Sequence, residues 1–281
     1  MSPKHHWDWS WAQAAGIFVE AIFDDLGGEA FMRRRLLSRA DIVQKTSTAG
    51  GRQITWLEAP AKGAGIPVVL VHGTPGGALE WAPFFNDAAE LRKTFTLIAV
   101  DRPGYGPLRG SLPNLEADMA LLGQVLADVT GERKAVIVGQ SLGGGVAARL
   151  AAEHPDKVQG LILTGSSLDP DLERVLPVQH KALEPPLKWL LTRSILCSNA
   201  ELIQNVDFLW TLAPRLKNIA CPVHAIHCRH DMLVPFANID YMRRHFTNVE
   251  SFTTTELELT GHFVTKLKPH ILVQAIESYA Y

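Results

Sequence analysis

Apolar residues recur along most of this chain with two spacings, and together they predict strands and helices in alternation. Short apolar runs predict strands at 67–71, 95–100, 135–138, 158–164 and 222–228, with a further strand at 250–254. Segments with helical spacing predict helices at 81–92, 115–129, 142–153, 236–246 and 262–278. Most of the strand runs are apolar throughout rather than at every second position. They therefore predict a parallel sheet that is buried on both faces.

Other segments lie outside this alternation. Residues 8–26 have apolar positions at helical spacing and predict an amphipathic helix, followed by a second short helix that reaches about residue 38. Residues 42–47 and 52–58 predict a β-hairpin. Between about residues 170 and 210 the alternation gives way to a helical, proline-containing stretch, which is typical of a cap rather than a linker. We therefore divide the chain into an N-terminal helical extension (1–40), a core (41–170 and 211–281) and a cap insertion (171–210).

The most informative motif is Gly-x-Ser-x-Gly at residues 139–143, between a predicted strand and a predicted helix. This order is typical of a serine at a sharp strand-to-helix turn, where the residues two before and two after it must be small. Gly139 and Gly143 meet that requirement. The turn would expose the hydroxyl group of Ser141 as a nucleophile, and the backbone N–H of Leu142 would point the same way from the helix N-terminus.

A serine nucleophile needs a base, and the base needs a group that orients it. In a parallel sheet these groups are expected just beyond the carboxyl ends of strands. Asp231 follows the strand 222–228 and is the predicted acid, and His262 follows the last strand and is the predicted base. The order Ser, Asp, His is the one associated with this kind of turn. Asp101, which follows the strand 95–100, is the alternative acid.

The loop after the strand 67–71 has the sequence His72-Gly73-Thr74-Pro75-Gly76-Gly77. Its backbone is predicted to present the N–H of Thr74 beside that of Leu142, so that the two donors bind an oxyanion. His72 is expected to brace this loop rather than to act as a second base.

Composition and charge argue against several other classes of protein. The chain of 281 residues is 47% hydrophobic and 20% charged, with a net charge of −2, so we expect no nucleic-acid partner. The basic run Arg33–Arg35 is expected to be a solvated face. No apolar run approaches the roughly 20 residues that span a bilayer, and no integral membrane segment is expected. Three cysteines make no disulfide framework. Polar residues interrupt the apolar start of the chain, so that segment is not expected to be a secretory signal. A cytoplasmic location is therefore expected.

Histidines and cysteines cluster near the predicted acid, at Cys221, His224, His227, Cys228 and His230. Along a strand, His224 and Cys228 would face one way and His227 the other. No second pair of ligands follows at a usual spacing for a metal site. We therefore expect neither a metal nor a cofactor.

As a set, these motifs resemble those of the α/β-hydrolase fold superfamily, in particular its serine-nucleophile, esterase- and lipase-like members. The resemblance covers about residues 41–281 and rests on the loop 72–77, the segment Asp101-Arg102-Pro103-Gly104-Tyr105-Gly106, the turn 139–143, the acid turn 229–235 and Gly261-His262. It implies a mostly parallel eight-stranded sheet flanked by helices, with a small helical cap over the strand ends. Cys228 departs from the glycine that is common before the acid turn, and Pro107-Leu108 departs from a common serine.

The resemblance implies acyl transfer to water through an acyl-enzyme on Ser141. Trp189, Phe208 and Trp210 make the cap apolar and are predicted to bind the hydrophobic acyl or alkoxy group of a carboxylic ester. Hydrolysis of a carbon–carbon bond, lactone, thioester or amide on the same triad stays open, as does a non-catalytic small-molecule receptor. For residues 1–40, three roles stay open: a homodimer through the N-terminal helix, a cover over the active site, and contact with a membrane.

Overall fold

The computed structural model describes residues 27–108 and 110–280. Within them eight strands form one sheet in the order β1-β2-β4-β3-β5-β6-β7-β8. The strands are β1 (Val43–Ala49), β2 (Arg52–Ala59), β3 (Ile66–Val71), β4 (Phe95–Val100), β5 (Ala135–Gln140), β6 (Val158–Thr164), β7 (Val223–Cys228) and β8 (Phe252–Leu257). β2 is antiparallel to both of its neighbours, and the strands from β4 to β8 in that order are parallel. The predicted mostly parallel, eight-stranded sheet is confirmed.

Helices cover both faces of the sheet. They are α1 (Glu29–Leu37), α2 (Ala82–Asp87), α3 (Leu115–Thr130), α4 (Leu142–Glu153), α5 (Pro177–Ala182), α6 (Leu187–Leu190), α7 (Arg193–Leu212), α8 (Asn238–His245), α9 (Val264–Leu267) and α10 (Pro269–Glu277). Among the described residues, none of the helices is both long and apolar enough to cross a membrane.

Alternate residues of one strand enter two separate cores. In β5, Ala135 and Ile137 pack with residues of α3, α4, α7 and α8, whereas Val136 and Val138 pack with residues of α1, α2 and α10. Because successive side chains of a strand point to opposite faces, a strand between two cores must be apolar at every position. This is the reason for the continuous apolar runs in the sequence.

Two predicted helices are interrupted in the structure. The segment 81–92 is a 3₁₀ turn (Ala78–Trp81), then α2, then a second 3₁₀ turn (Leu91–Lys93). The segment 262–278 divides into α9 and α10 at Pro269, which has no backbone N–H to continue a helix and is instead accepted in the first turn of the next one. β8 also begins and ends later than the predicted strand 250–254.

The helix that precedes the core agrees with the predicted short helix ending near residue 38, while the predicted helix 8–26 lies outside the described residues. The expectation that Arg33–Arg35 is a solvated face is wrong for Arg33. Its side chain is 6% exposed, and Nη2 donates to Oδ1 of Asp101 at 2.8 Å. Leu36, one turn later, is buried in a core, so this face of α1 packs inward.

The carboxyl ends of the parallel strands meet at one edge of the sheet. Thr74 follows β3, Ser141 follows β5, Asp231 follows β7 and His262 follows β8. The loops that carry the predicted site residues therefore leave the same edge, where ligands bind in open α/β sheets.

Candidate active site

The turn after β5 holds Ser141 in a strained conformation. Its φ is 54° and its ψ is −129°, and it is the one non-glycine residue with positive φ in the described ranges. The backbone here leaves no space for neighbouring side chains. A Cβ on residue 139 would lie 2.6 Å from the carbonyl oxygen of Gly143, and a Cβ on residue 143 would lie 2.3 Å from that of His72. Strain of this kind is typical of functional sites, and a strained serine between a strand and a helix is the geometry that a nucleophile elbow requires.

Asp231 and His262 are buried and hydrogen-bonded to each other. Nδ1 of His262 donates to Oδ2 of Asp231 at 2.8 Å. The other carboxylate oxygen accepts from the backbone N–H groups of Leu233 at 2.9 Å and Val234 at 3.0 Å. Because Asp231 accepts a hydrogen bond from Nδ1, the proton of the neutral imidazole lies on Nδ1 and the lone pair lies on Nε2 of His262. A histidine oriented in this way can accept a proton from a hydroxyl group.

Ser141 and His262 line the same cavity. No hydrogen bond joins them within the part of the chain that the structure describes. Catalytic hydrogen bonds often tighten only when substrate is bound. Gly165, which follows β6 with a φ of 51°, leaves room for the pair: a Cβ there would lie 3.3 Å from Nδ1 of His262 and 3.4 Å from Oδ2 of Asp231.

The loop after β3 lies against the elbow. A Cβ on Gly73 would lie 3.0 Å from the Cβ of Ser141. Thr74 and Leu142 both line the cavity with Ser141. Leu142 is the first residue of α4, so its N–H has no acceptor within the helix. The two predicted oxyanion donors therefore belong to segments that border Ser141.

His72 is fully buried and uses both ring nitrogens in this loop. Nδ1 donates to the carbonyl oxygen of Gly73 at 2.7 Å, and Nε2 accepts from the backbone N–H of Arg102 at 3.1 Å. Burial, and then the charge of Arg102, hold the pKa of His72 well below its usual range, so the ring is neutral. These contacts agree with the expectation that His72 braces the loop.

Asp101, the alternative acid, is fully engaged elsewhere. Oδ1 accepts from the backbone N–H of Ala78 and from Arg33, and Oδ2 accepts from the hydroxyl group of Thr55. It therefore ties α1 and β2 to the segment after β3. Among the described residues, it is Asp231 that binds the predicted base.

Two residues of β7 contribute to the site in ways that the sequence analysis missed. His227 Nε2 donates to the carbonyl oxygen of Val234 at 3.0 Å and lies 3.7 Å from Oδ2 of Asp231. Burial lowers the pKa of His227, so it stays neutral beside the acid. Cys228 accepts the backbone N–H of Gly261 on its sulfur at 3.2 Å, which fixes the turn before His262. The alternation of β7 places these two side chains on opposite faces, as expected.

No group of three or more histidine, cysteine, aspartate or glutamate side chains that could hold a metal occurs in the described ranges. His224 hydrogen-bonds with the hydroxyl group of Thr255 at 2.8 Å, and the three cysteines are not in disulfides.

A cavity of about 1160 Å³ opens over Ser141 and His262. Its apolar lining includes Met32, Leu36, Leu79, Leu202, Leu233 and Phe263. Charged side chains also border it, among them Arg35, Arg39, Glu80, Glu173, Arg193 and Lys266. Residues of α1 and of α7 form part of the wall, so both the N-terminal extension and the cap insertion reach the site.

The three aromatic residues predicted to bind substrate do not line this cavity. The side chains of Trp189 and Trp210 are 76% and 54% exposed, and Phe208 is 3% exposed and packs in a core with Arg149 over its ring. Apolar composition correctly indicated an apolar segment, but it does not say which face of a helix meets the cavity. On α7 that face carries Ser194, Ser198, Leu202 and Asn205 instead.

Comparisons with known proteins bear on the fold. The sequence model of the α/β-hydrolase fold family matches residues 66–185. The 2-hydroxymuconate semialdehyde hydrolase of Pseudomonas sp. (strain CF600) is 36% identical over 107 residues, which are 37% of this chain and 38% of that protein. The chain spans 31% to 57% of the length of three curated relatives that it matches.

Solved structures share the fold over most of the chain. A membrane phospholipase A superposes with a TM-score of 0.65 at 22% identity, covering 96% of this chain and 94% of that one. The esterase EaEST from Exiguobacterium antarcticum also gives a TM-score of 0.65, at 19% identity over 84% of this chain and 98% of that one. With the sheet order and the family model matched over residues 66–185, these findings show that the chain has the α/β-hydrolase fold.

Proposed function

We propose that this protein is a serine hydrolase that cleaves a carboxylic ester with a hydrophobic acyl or alkoxy group. The observation that carries the proposal is the strained Ser141 at the wall of a cavity that also contains His262, a histidine hydrogen-bonded to a buried aspartate. A lone serine at a turn has no base, and a lone histidine–aspartate pair has no nucleophile; together they supply both.

In the proposed reaction, Oγ of Ser141 attacks the carbonyl carbon while Nε2 of His262 takes its proton. Asp231 stabilises the resulting imidazolium. The backbone N–H groups of Thr74 and Leu142 bind the oxyanion of the tetrahedral intermediate. The intermediate collapses to an acyl-enzyme on Ser141, and the alcohol leaves with the proton that His262 donates. Water, which gives a proton to His262, then attacks the acyl group; the second intermediate collapses, the acid is released, and Ser141 regains its proton from His262.

The cavity supports an ester of moderate size. Its volume exceeds that of a short acyl chain, and its apolar residues Leu202, Leu233 and Phe263 favour a hydrocarbon group. The charged side chains on other parts of the wall favour a substrate that also has a polar end. The substrate-binding residues proposed here are therefore Leu202, Leu233 and Phe263 rather than the exposed tryptophans or the buried Phe208.

Initial rates on p-nitrophenyl esters from acetate to palmitate test the proposal. We expect an optimum in chain length and a fall in kcat on the order of 10⁶-fold in Ser141→Ala, because that change removes the nucleophile. A fluorophosphonate probe should label the wild-type protein at Ser141. Ser141→Ala with unchanged ester hydrolysis would overturn the proposal, and tight ligand binding without labelling or turnover would favour a receptor.

A second candidate is hydrolysis of a carbon–carbon bond on the same triad. The observation that favours it is the similarity to a protein named 2-hydroxymuconate semialdehyde hydrolase. The two candidates differ in the leaving group, since carbon–carbon cleavage leaves a carbanion and therefore requires a conjugated carbonyl compound, such as the one in that protein's name, that can delocalise the charge until it is protonated. Decay of the visible absorbance of such a compound, with a kcat/KM above that for every ester, would favour the second candidate.

A further inference from the structure

Behind the loop that carries Thr74 lies a buried ion pair. Arg102 follows β4 and Glu201 lies in the middle of α7, and their side chains are 2% and 1% exposed. Nη1 of Arg102 donates to Oε1 of Glu201, and Nη2 donates to Oε2 at 3.1 Å. The pair thus joins the cap insertion to the core directly beneath the site.

The same guanidinium holds two carbonyl groups of the loop after β3. Nη2 donates to the carbonyl oxygen of Gly73 at 2.7 Å, and Nε donates to that of His72 at 3.1 Å. His72 Nδ1 donates to the Gly73 oxygen as well. Among the described residues, this carbonyl group therefore has two donors, one of them charged.

The carbonyl group of Gly73 and the N–H of Thr74 belong to one planar peptide group. In a trans peptide the N–H points opposite to the carbonyl oxygen, so fixing the oxygen fixes the direction of the N–H. Hydrogen bonds to the oxygen also polarise the peptide and make its N–H a better donor. The contacts of Arg102 thus act on the predicted oxyanion donor through a single peptide plane.

A second connection reaches Thr74 through its side chain. The hydroxyl groups of Thr74 and Tyr105 are 2.6 Å apart, and Tyr105 donates to Oε2 of Glu201 at 2.8 Å. Burial, and then Glu201, raise the pKa of Tyr105 well above its usual range, so the phenol keeps the proton that it donates. Tyr105 must then accept from Thr74, which fixes the direction of both hydrogen bonds.

We infer that Arg102, held by Glu201 and assisted by Tyr105, is a positioning residue that aims the backbone N–H of Thr74 at the oxyanion. The inference rests on the proposed function of that N–H. A buried ion pair is often no more stabilising than apolar residues of the same volume, so its position behind this peptide argues for a role in geometry. The cap would then act on catalysis through Glu201 as well as by enclosing substrate.

Arg102→Lys tests the inference, because lysine keeps the positive charge opposite Glu201 but lacks the planar fork that reaches both carbonyl oxygens. We expect kcat on the best ester to fall by about 10- to 100-fold, part of the roughly 100- to 1000-fold effect of losing an oxyanion donor, with KM changed by less than about threefold. The affinity for an alkyl boronic acid, which forms a tetrahedral adduct with the serine, should fall with kcat. The affinity for the carboxylic acid product should not.

The matched control is Arg149→Lys. Arg149 is a second buried arginine with carboxylate partners, Glu116 and Glu153, but it lies on α4 away from the cavity. It should lose stability without losing kcat or boronic acid affinity. The inference would be overturned if Arg102→Lys folds and keeps kcat and boronic acid affinity within about twofold of wild type, since losing an oxyanion donor lowers kcat by far more than twofold.

Tyr105→Phe keeps the inference testable if Arg102→Lys does not fold. It removes one hydroxyl group, and we expect kcat and boronic acid affinity to fall together; unchanged values would overturn the inference. If the wild-type protein hydrolyses no ester, the proposed substrate fails separately, and the rate constant for fluorophosphonate labelling of Ser141 replaces kcat in the same comparison. A wild-type protein that is neither labelled nor active would overturn both proposals.

Discussion

Nδ1 of His262 lies 2.8 Å from Oδ2 of Asp231, although 31 residues separate them in sequence. The contact exists because β7 and β8 are parallel neighbours, so the loops at their carboxyl ends meet. Asp101 also follows a strand of the same sheet, yet it binds Arg33, Thr55 and Ala78. We therefore expect mutation of Asp231 to affect mainly kcat and mutation of Asp101 to affect mainly stability.

Asp231→Asn should lower kcat by roughly 10⁴-fold, because an amide no longer holds the proton on Nδ1 or stabilises the imidazolium. Asp101→Asn is the matched control. It should lower the free energy of unfolding, since it weakens a buried ion pair with Arg33, and leave kcat within about tenfold. Steady-state kinetics and urea unfolding on both variants separate the two roles. Equal losses of kcat would contradict the assignment of the acid.

Gly143→Ala should destabilise the protein by about 2 kcal/mol or more, because its Cβ would press on backbone oxygens that cannot move aside. The closest is the carbonyl oxygen of His72, at 2.3 Å. The Cβ of Gly145→Ala, two residues later in the same helix, would lie 3.1 Å from the end of the Leu209 side chain and 3.4 Å from the carbonyl oxygen of Ser167, which is close to ordinary contact. This variant should be neutral or slightly stabilising. Thermal unfolding of the two variants tests this, and equal melting temperatures would show that the close approach is absent.

The free energy of unfolding should fall as the pH decreases below about 6.5, the ordinary pKa of histidine. Burial lowers the pKa of both His72 and His227 in the folded protein. The unfolded chain therefore binds more protons in this range, and stability is fully present above the unfolded pKa and lost below it. Each histidine contributes a slope of up to about 1.4 kcal/mol per pH unit.

Urea unfolding across this pH range measures the slope, and His227→Gln should reduce it by the share of one histidine. Stability that stays constant or rises as the pH falls through this range would show that these rings are not held neutral.

Leu202→Phe should shift the optimum to shorter acyl chains, because Leu202 lines the cavity and a larger side chain there shortens it. Trp189→Ala should leave the chain-length profile unchanged, since that side chain is 76% exposed and lies outside the cavity. Rates on the p-nitrophenyl ester series report both. A changed profile in Trp189→Ala alone would restore the tryptophan as a substrate contact.

The sequence predicted those features that follow from local pattern. Continuous apolar runs indicated the buried parallel strands, and the glycines at 139 and 143 indicated the tight turn around Ser141. The order Ser, Asp, His along the chain favoured Asp231, but spacing alone does not determine which of two strand-end aspartates faces the histidine, because that depends on the order of strands in the sheet. Strand order is a property of long-range pairing rather than of spacing.

The same limit explains the errors. The basic run around Arg33 predicted a solvated side chain. Its partner Asp101 is 68 residues away in sequence, so no local pattern indicates the contact. Apolar composition predicted that the cap residues form a binding surface. Only the packing of α7 decides that Leu202 faces the cavity and that Phe208 faces a core. α7 contains two acidic residues, Glu201 and Asp207, and only the packing of the helix decides that Glu201 is the buried one.

In the proposed reaction Ser141 forms an acyl-enzyme. Rapid-quench intact-mass measurement with a p-nitrophenyl ester, followed by peptide mapping, tests it directly. We expect one acyl group per chain, formed together with a burst of p-nitrophenol, located on Ser141 and absent from Ser141→Ala. Turnover with no adduct, or with an adduct on another residue, would contradict it.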